Sequence, residues 1–166
     1  MHLINALKAR FLGRSPLRIE PVAGAASATI AALHQASFAR GWDQPDVARM
    51  LAESNVLADG VFAGTERQPS GFVMSRLAVD EAEILTICVA QEWRGQGLGK
   101  LLLERHMAHL ARRGVAQLFL EVDEHNHSAL RLYRSFGFAK VGERPGYYMK
   151  ADGSRALALI LQRNLD

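Results

Sequence analysis

The apolar run AEILTICVA leads into EWRGQGLGK, residues 92–100, and a helical pattern begins at Leu98, so three glycines and an arginine form the joint between a strand and a helix. This joint constrains the fold most strongly, because it fixes a strand-to-helix connection and bares backbone N–H groups at a helix start. Such turns usually cradle phosphate, and the spacing sorts the kinds. A nucleoside-triphosphate loop reads G-x-x-x-x-G-K-[ST]; here three residues separate Gly95 from Gly99 and Lys100, and Leu101 follows. The dinucleotide fingerprint fits better, since Gly95 and Gly97 match its first two glycines and the acidic Glu121 lies about 20 residues beyond the turn. Its third position wants glycine or alanine for close helix-to-strand packing, and Lys100 is too bulky. What remains is Arg94-x-x-Gly97-x-Gly99, a turn whose N–H groups converge on one oxyanion while the helix dipole adds positive potential. That describes a pyrophosphate seat.

The rest of the chain reads as one α/β domain. Its 166 residues, 49% hydrophobic, can bury one sizeable core but not two ordinary ones. Leu3, Ile4, Leu7 and Phe11 predict a short amphipathic helix, so residues 1–14 form an extra N-terminal helix on a domain spanning 1–166. LRIEPV is a strand, Gly24 to Ala36 a helix, and DQPDVARMLAES a second helix capped by Asp43 with Pro45 in its first turn. NVLADGVFAG, GFVMSRLAV and AEILTICVA follow as antiparallel strands. Leu102, Leu103, Met107 and Leu110 face inward on a helix from Leu98 to Arg113, stopped by Gly114. AQLFLEV is a strand, SALRLYRSF a helix, and GYYMKADGSRALALIL a hairpin turning at Asp152-Gly153. This order predicts a mixed, mostly antiparallel central sheet flanked by helices. A net charge of +3 suits anionic ligands without demanding nucleic acid. The single cysteine, Cys88, excludes a disulfide framework and is expected to be buried and inert. Without a membrane-length apolar stretch or a secretory leader pattern, a cytoplasmic protein is expected.

Three motifs in order, ILTICV, Arg94-x-x-Gly97-x-Gly99 and NHSALRLYRSFGF, resemble the GCN5-related N-acetyltransferase (GNAT) family. The resemblance is close from Glu81 to Leu161 and looser before. It implies acetyl-CoA as acetyl donor, with Ile87, Cys88 and Val89 binding it through backbone groups. Arg94, Gly95, Gln96, Gly97, Leu98, Gly99 and Lys100 would seat its pyrophosphate, and Asn126 would contact the pantetheine arm. The implied acceptor is a protein N-terminus, such as that of a ribosomal protein, held by Trp42, Tyr147 and Tyr148. Those three can equally be ordinary half-buried aromatics.

Acetyl transfer to an amine needs a base for the ammonium proton and an acid for the departing thiolate. In AQLFLEV, Leu118, Leu120 and Val122 share one face and Phe119 and Glu121 the other, placing a carboxylate on an apolar central strand, where it is unfavourable unless used. The resemblance makes Glu121 the general base; pairing with a neighbouring arginine is the plain alternative. Tyr133 falls on the family's N-x-x-A-x-x-x-Y-x-x-x-G-F pattern with Asn126, Ala129, Gly137 and Phe138, which implies a general acid; a packed tyrosine is its alternative. EVDEHNH offers His125 and His127 with three carboxylates, yet no further histidine stands at ligand spacing, so no metal is expected. His106 and His109 read as packed or solvated. Arg105, Arg112 and Arg113 read as a solvated helix face without the interleaved aromatics of a nucleic-acid module. Two rival functions stay open: acetylation of a small-molecule or antibiotic amine, and a non-catalytic acyl-CoA sensor.

Overall fold

A computed structural model describes residues 16–149, 153 and 155–165, and for residues 147–149 the backbone alone. The expected N-terminal helix, and Asp152 of the expected turn, lie outside the described residues. Strand β1 (Leu17–Pro21) is followed by a 3-10 turn at Gly24–Ala26 that runs into helix α1 (Ser27–Ser37), and helix α2 (Gln44–Ala52) comes next. Strands β2 (Val56–Ala63), β3 (Gly71–Ala78) and β4 (Glu81–Val89) precede helix α3 (Leu98–Arg112). Strand β5 (Gln117–Asp123), helix α4 (His127–Ser135) and strands β6 (Ala139–Met149) and β7 (Arg155–Asn164) complete the order.

Local chemistry accounts for the element ends. The Asp43 side chain accepts from the Asp46 N–H at 2.8 Å, capping α2, and Pro45 occupies its first turn, where the missing N–H is not needed. The Asn126 side chain does the same for α4, accepting from the Ala129 N–H at 3.1 Å. Gly114, at φ +84°, ends α3, as the sequence predicted.

The strands form a seven-stranded sheet in the order β1-β2-β3-β4-β5-β7-β6. The parallel pair is β4 with β5, Glu81 opposite Gln117, and a parallel pair needs a crossover, which α3 supplies. Contacts divide the chain into two compact units, Met1–Met74 with Thr86–His106, and Ser75–Leu85 with Met107–Asp166. In the first, Ile30, Val47, Val61, Phe72, Met74, Leu102 and Leu103 are fully buried. Its core also holds a polar contact, His106 Nδ1 to Asp59 Oδ2 at 2.7 Å. In the second, Leu110, Leu118, Leu120, Val122, Leu130, Ala158 and Leu161 are buried. Each fully buried leucine contributes roughly 1.5–3 kcal/mol of transfer free energy. Among the described residues, no helix is long and apolar enough to cross a membrane.

One element departs from the sequence reading. The last hairpin was expected to start at Gly146, but β6 begins at Ala139. Gly142, Pro145 and Gly146 interrupt its pattern, and its register against β7 shifts between Lys140 and Gly142 and again between Arg144 and Tyr148. As the edge strand, β6 accommodates a proline and bulges that a central strand would not.

Candidate active site

In the first unit, β4 delivers the chain to a 3-10 turn at Gln91–Trp93 and then to the glycines. Gly95 and Gly97 adopt φ +71° and +85°, the left-handed region that side chains resist, and so turn successive N–H groups before α3 begins. A Cβ placed on Gly95 meets nothing within 4 Å, so the turn is open on that side and its glycine is required by backbone conformation alone. The first three N–H groups of α3 have no intrahelical acceptor by construction, and an anion can use them. An anionic pyrophosphate therefore fits this turn.

Arg94 does something the sequence did not show. Its Nε donates to the Val89 carbonyl at 2.9 Å and its Nη2 to Ser37 Oγ at 3.2 Å, tying the turn to the end of β4 and to α1. Ser37 Oγ donates in turn to the Leu33 carbonyl at 2.8 Å. Cys88 is 3% exposed and contacts Thr86 Oγ1 at 3.5 Å. Burial pushes its thiol up, against opposing hydrogen bonds from Thr86 and Ser37 and the charge of Arg94. It is buried, as expected. Ile87 and Val89 flank it on β4.

Trp42 also belongs to this unit. Its ring stacks on His34, centroids 4.0 Å apart and planes within 7°, and the Trp42 backbone N–H donates to His34 Nδ1 at 3.1 Å. Phe38 joins them at 4.6 Å from the His34 ring. Burial lowers the His34 pKa from the ordinary 6.5 to about 4. The sequence singled out Trp42 and missed His34, which a lone histidine in a small-residue helix does not advertise.

The second unit carries Glu121, Asn126 and Tyr133, with the backbone of Tyr147 and Tyr148 in β6; the side chains of those two tyrosines lie outside the described residues. The predicted alternation on β5 holds, with Leu118, Leu120 and Val122 buried and Phe119 and Glu121 partly exposed. Glu121 is ion-paired: its Oε1 accepts from Arg144 Nη2 at 2.9 Å, and its side chain is 16% exposed. Tyr133 is 6% exposed and packs edge-on against Phe138, ring centroids 5.7 Å apart. The Asn126 carbonyl oxygen serves as the α4 cap already described. Among the described residues, no group of three or more His, Cys, Asp or Glu side chains could hold a metal ion. Arg144 escaped the sequence reading because the segment around it did not read as a strand.

The model of the Acetyltransferase (GNAT) family matches residues 28–138. The [ribosomal protein bS18]-alanine N-acetyltransferase of Escherichia coli K12 is 40% identical over 92 residues, 55% of this chain and 62% of that protein. The match thus spans less than two thirds of the relative's length. The crystal structure of the ribosomal-protein-S18-alanine N-acetyltransferase from Escherichia coli superposes with a TM-score of 0.83 at 28% identity, covering 91% of this chain and 95% of that one. Arabidopsis thaliana NAA60, solved in complex with acetyl-CoA, shares the fold with a TM-score of 0.79 at 17% identity, over 90% of this chain and 98% of that one.

Proposed function

The chain belongs to the GNAT acetyltransferase family, and we propose that it moves the acetyl group of acetyl-CoA onto a primary amine, with the N-terminal alanine of ribosomal protein S18, or a similar protein N-terminus, as acceptor. The observation that carries this reading is the turn at Gly95 and Gly97, where left-handed glycines open a 15-residue helix. The choice of acceptor rests on the relatives 40% identical to this chain that are named for that alanine. A ribosomal acceptor puts the reaction in the cytoplasm, with residues 1–166 working as one acetyltransferase domain.

In this reading the turn amides and Lys100 hold the pyrophosphate, while Arg94 braces the turn from beneath. Ile87, Cys88 and Val89 offer backbone groups to the donor, and Asn126 its amide nitrogen. Glu121 takes a proton from the acceptor ammonium, directly or through a water. The free amine attacks the thioester carbonyl, forming the C–N bond; the tetrahedral adduct collapses, breaking C–S, Tyr133 gives its proton to the sulfur, and the nitrogen's surplus proton is released as the amide forms and restores the phenol. A phenol is protonated at neutral pH and suits that task. Trp42, Tyr147 and Tyr148 are the residues this reading assigns to the acceptor.

The test is CoA release from acetyl-CoA with peptides beginning Ala-Arg, Ser, Met or Lys, and with polyamines. Turnover with the alanine peptide is expected; turnover with polyamines alone moves the acceptor class, and none at all leaves an acyl-CoA sensor. Tyr133→Phe should lower kcat about 100-fold or more while acetyl-CoA affinity is kept. Equal loss in both would make Tyr133 a binding residue.

A further inference from the structure

The pairing of Glu121 with Arg144 crosses a strand. Glu121 lies opposite Ile160 on β7, Gly142 lies opposite the same Ile160 from the other side, and Arg144 lies opposite Ala158. Residues directly opposite in antiparallel strands share a face, so all five share one face, and Arg144 spans β7 to reach Glu121 at 2.9 Å. Arg144 crosses β7 beside Ala158, whose side chain is a single methyl, while Ile160, opposite Glu121, lies against Gly142, where a Cβ would sit 3.4 Å from Ile160 Cδ1.

The two ends of this pair differ. The Glu121 side chain is 16% exposed and the Arg144 side chain 55%. Arg144 sits on the edge strand between two register shifts, followed by Pro145 and by Gly146 at φ +70°. The carboxylate is carried by a central strand, whereas the guanidinium comes from an irregular edge strand and is more than half exposed.

We infer that Arg144 is an exchangeable counter-ion for Glu121, displaced by the acceptor's ammonium as the acceptor enters. This rests on Glu121 being the base of the proposed reaction. A partly buried carboxylate without a cation is unfavourable, so the empty enzyme benefits from a resident one. A carboxylate beside a guanidinium is a poorer proton acceptor, and the guanidinium's charge repels a second cation drawn to the same group. Acceptor ammonium and Arg144 therefore compete for one carboxylate. Arg144 weakens acceptor binding by the strength of its own contact, and an amine that arrives without positive charge has nothing to exchange. Arg144 thus selects for acceptors that carry their proton into the site.

Kinetics with Arg144→Gln and Arg144→Lys, varying acceptor peptide and acetyl-CoA separately, test this. Arg144→Gln should lower the acceptor KM about two- to fivefold, the range for a half-exposed ion pair, and leave the acetyl-CoA KM in place. Arg144→Lys, which restores a cation, should bring the acceptor KM back toward wild type. Lys140→Gln removes a positive charge from the same strand, one paired with Glu143 at 2.6 Å, and should leave the acceptor KM alone. Peptide affinity measured calorimetrically must move with the KM. If Arg144→Gln lowers kcat at constant KM, Arg144 merely positions the carboxylate and the exchange is wrong; a raised or unchanged acceptor KM sinks it too. If wild-type enzyme acetylates no amine, the proposed reaction has failed, an outcome distinct from both.

Discussion

His34 shows how one buried side chain ties stability to pH. Its Nδ1 accepts from the Trp42 N–H, and only a neutral imidazole can accept there. Burial holds its pKa at about 4, below the ordinary 6.5 that the unfolded chain retains. The unfolded state therefore takes the proton first as pH falls. Stability from this site is complete above about pH 6.5, declines as pH drops toward 4, and is lost below that. Urea midpoints near neutral pH and at about pH 5 should differ in wild type, and His34→Phe should flatten part of that difference; an identical slope in the variant would discount His34. The contrast between Glu121 and Arg144 shows what residue types alone reveal. A carboxylate among alternating apolar residues is conspicuous in the sequence. Its guanidinium partner is 23 positions away on a strand two places over in the sheet, and only the register brings them together.

At the scale of elements, the hairpin between β3 and β4 holds a local conflict. Val79 adopts φ 58° and is 98% exposed, so a β-branched residue occupies a backbone region it disfavours without any packing in return. The turn is anchored instead by the next residue, whose carbonyl, on Asp80, accepts from the Ala116 N–H at 2.7 Å and the Gln117 N–H at 3.2 Å. Val79→Asn should therefore raise unfolding free energy by about 1 kcal/mol, read from denaturant midpoints at unchanged m; a loss of stability would show that the valine packs in a way its exposure hides. Elements with uninterrupted periodicity are legible in the residue pattern itself. The α3 face at Leu102, Leu103, Met107 and Leu110 is buried throughout, and Asp43 caps α2 where expected. The start of β6 is not legible in this way, because glycine and proline in an edge strand look like loop residues until the neighbouring strand is known.

For the molecule as a whole, binding and folding are linked. A ligand that binds the native turn and not the unfolded chain stabilises by about 2.7 kcal/mol at a hundredfold excess over its Kd, which for a chain of this size raises the melting temperature by about 5–10 °C. Acetyl-CoA should produce that shift and dephospho or desulfo relatives should too, whereas a nicotinamide dinucleotide should not; a dinucleotide shift without a CoA shift would return the turn to the fingerprint that Lys100 argued against. The α/β class and the run β2-β3-β4 followed from turn chemistry, since short connections join those neighbours, whereas β1, separated from β2 by two helices, has no such local signal. The insertion of β7 between β5 and β6 did not, because nothing local says which member of a hairpin takes the inner place. Finally, Cys88 is the chain's one sulfhydryl and is 3% exposed. A chromogenic disulfide added to the folded enzyme will stay colourless until the protein breathes, so the colour's slow onset becomes a clock for opening, and its prompt component counts product alone.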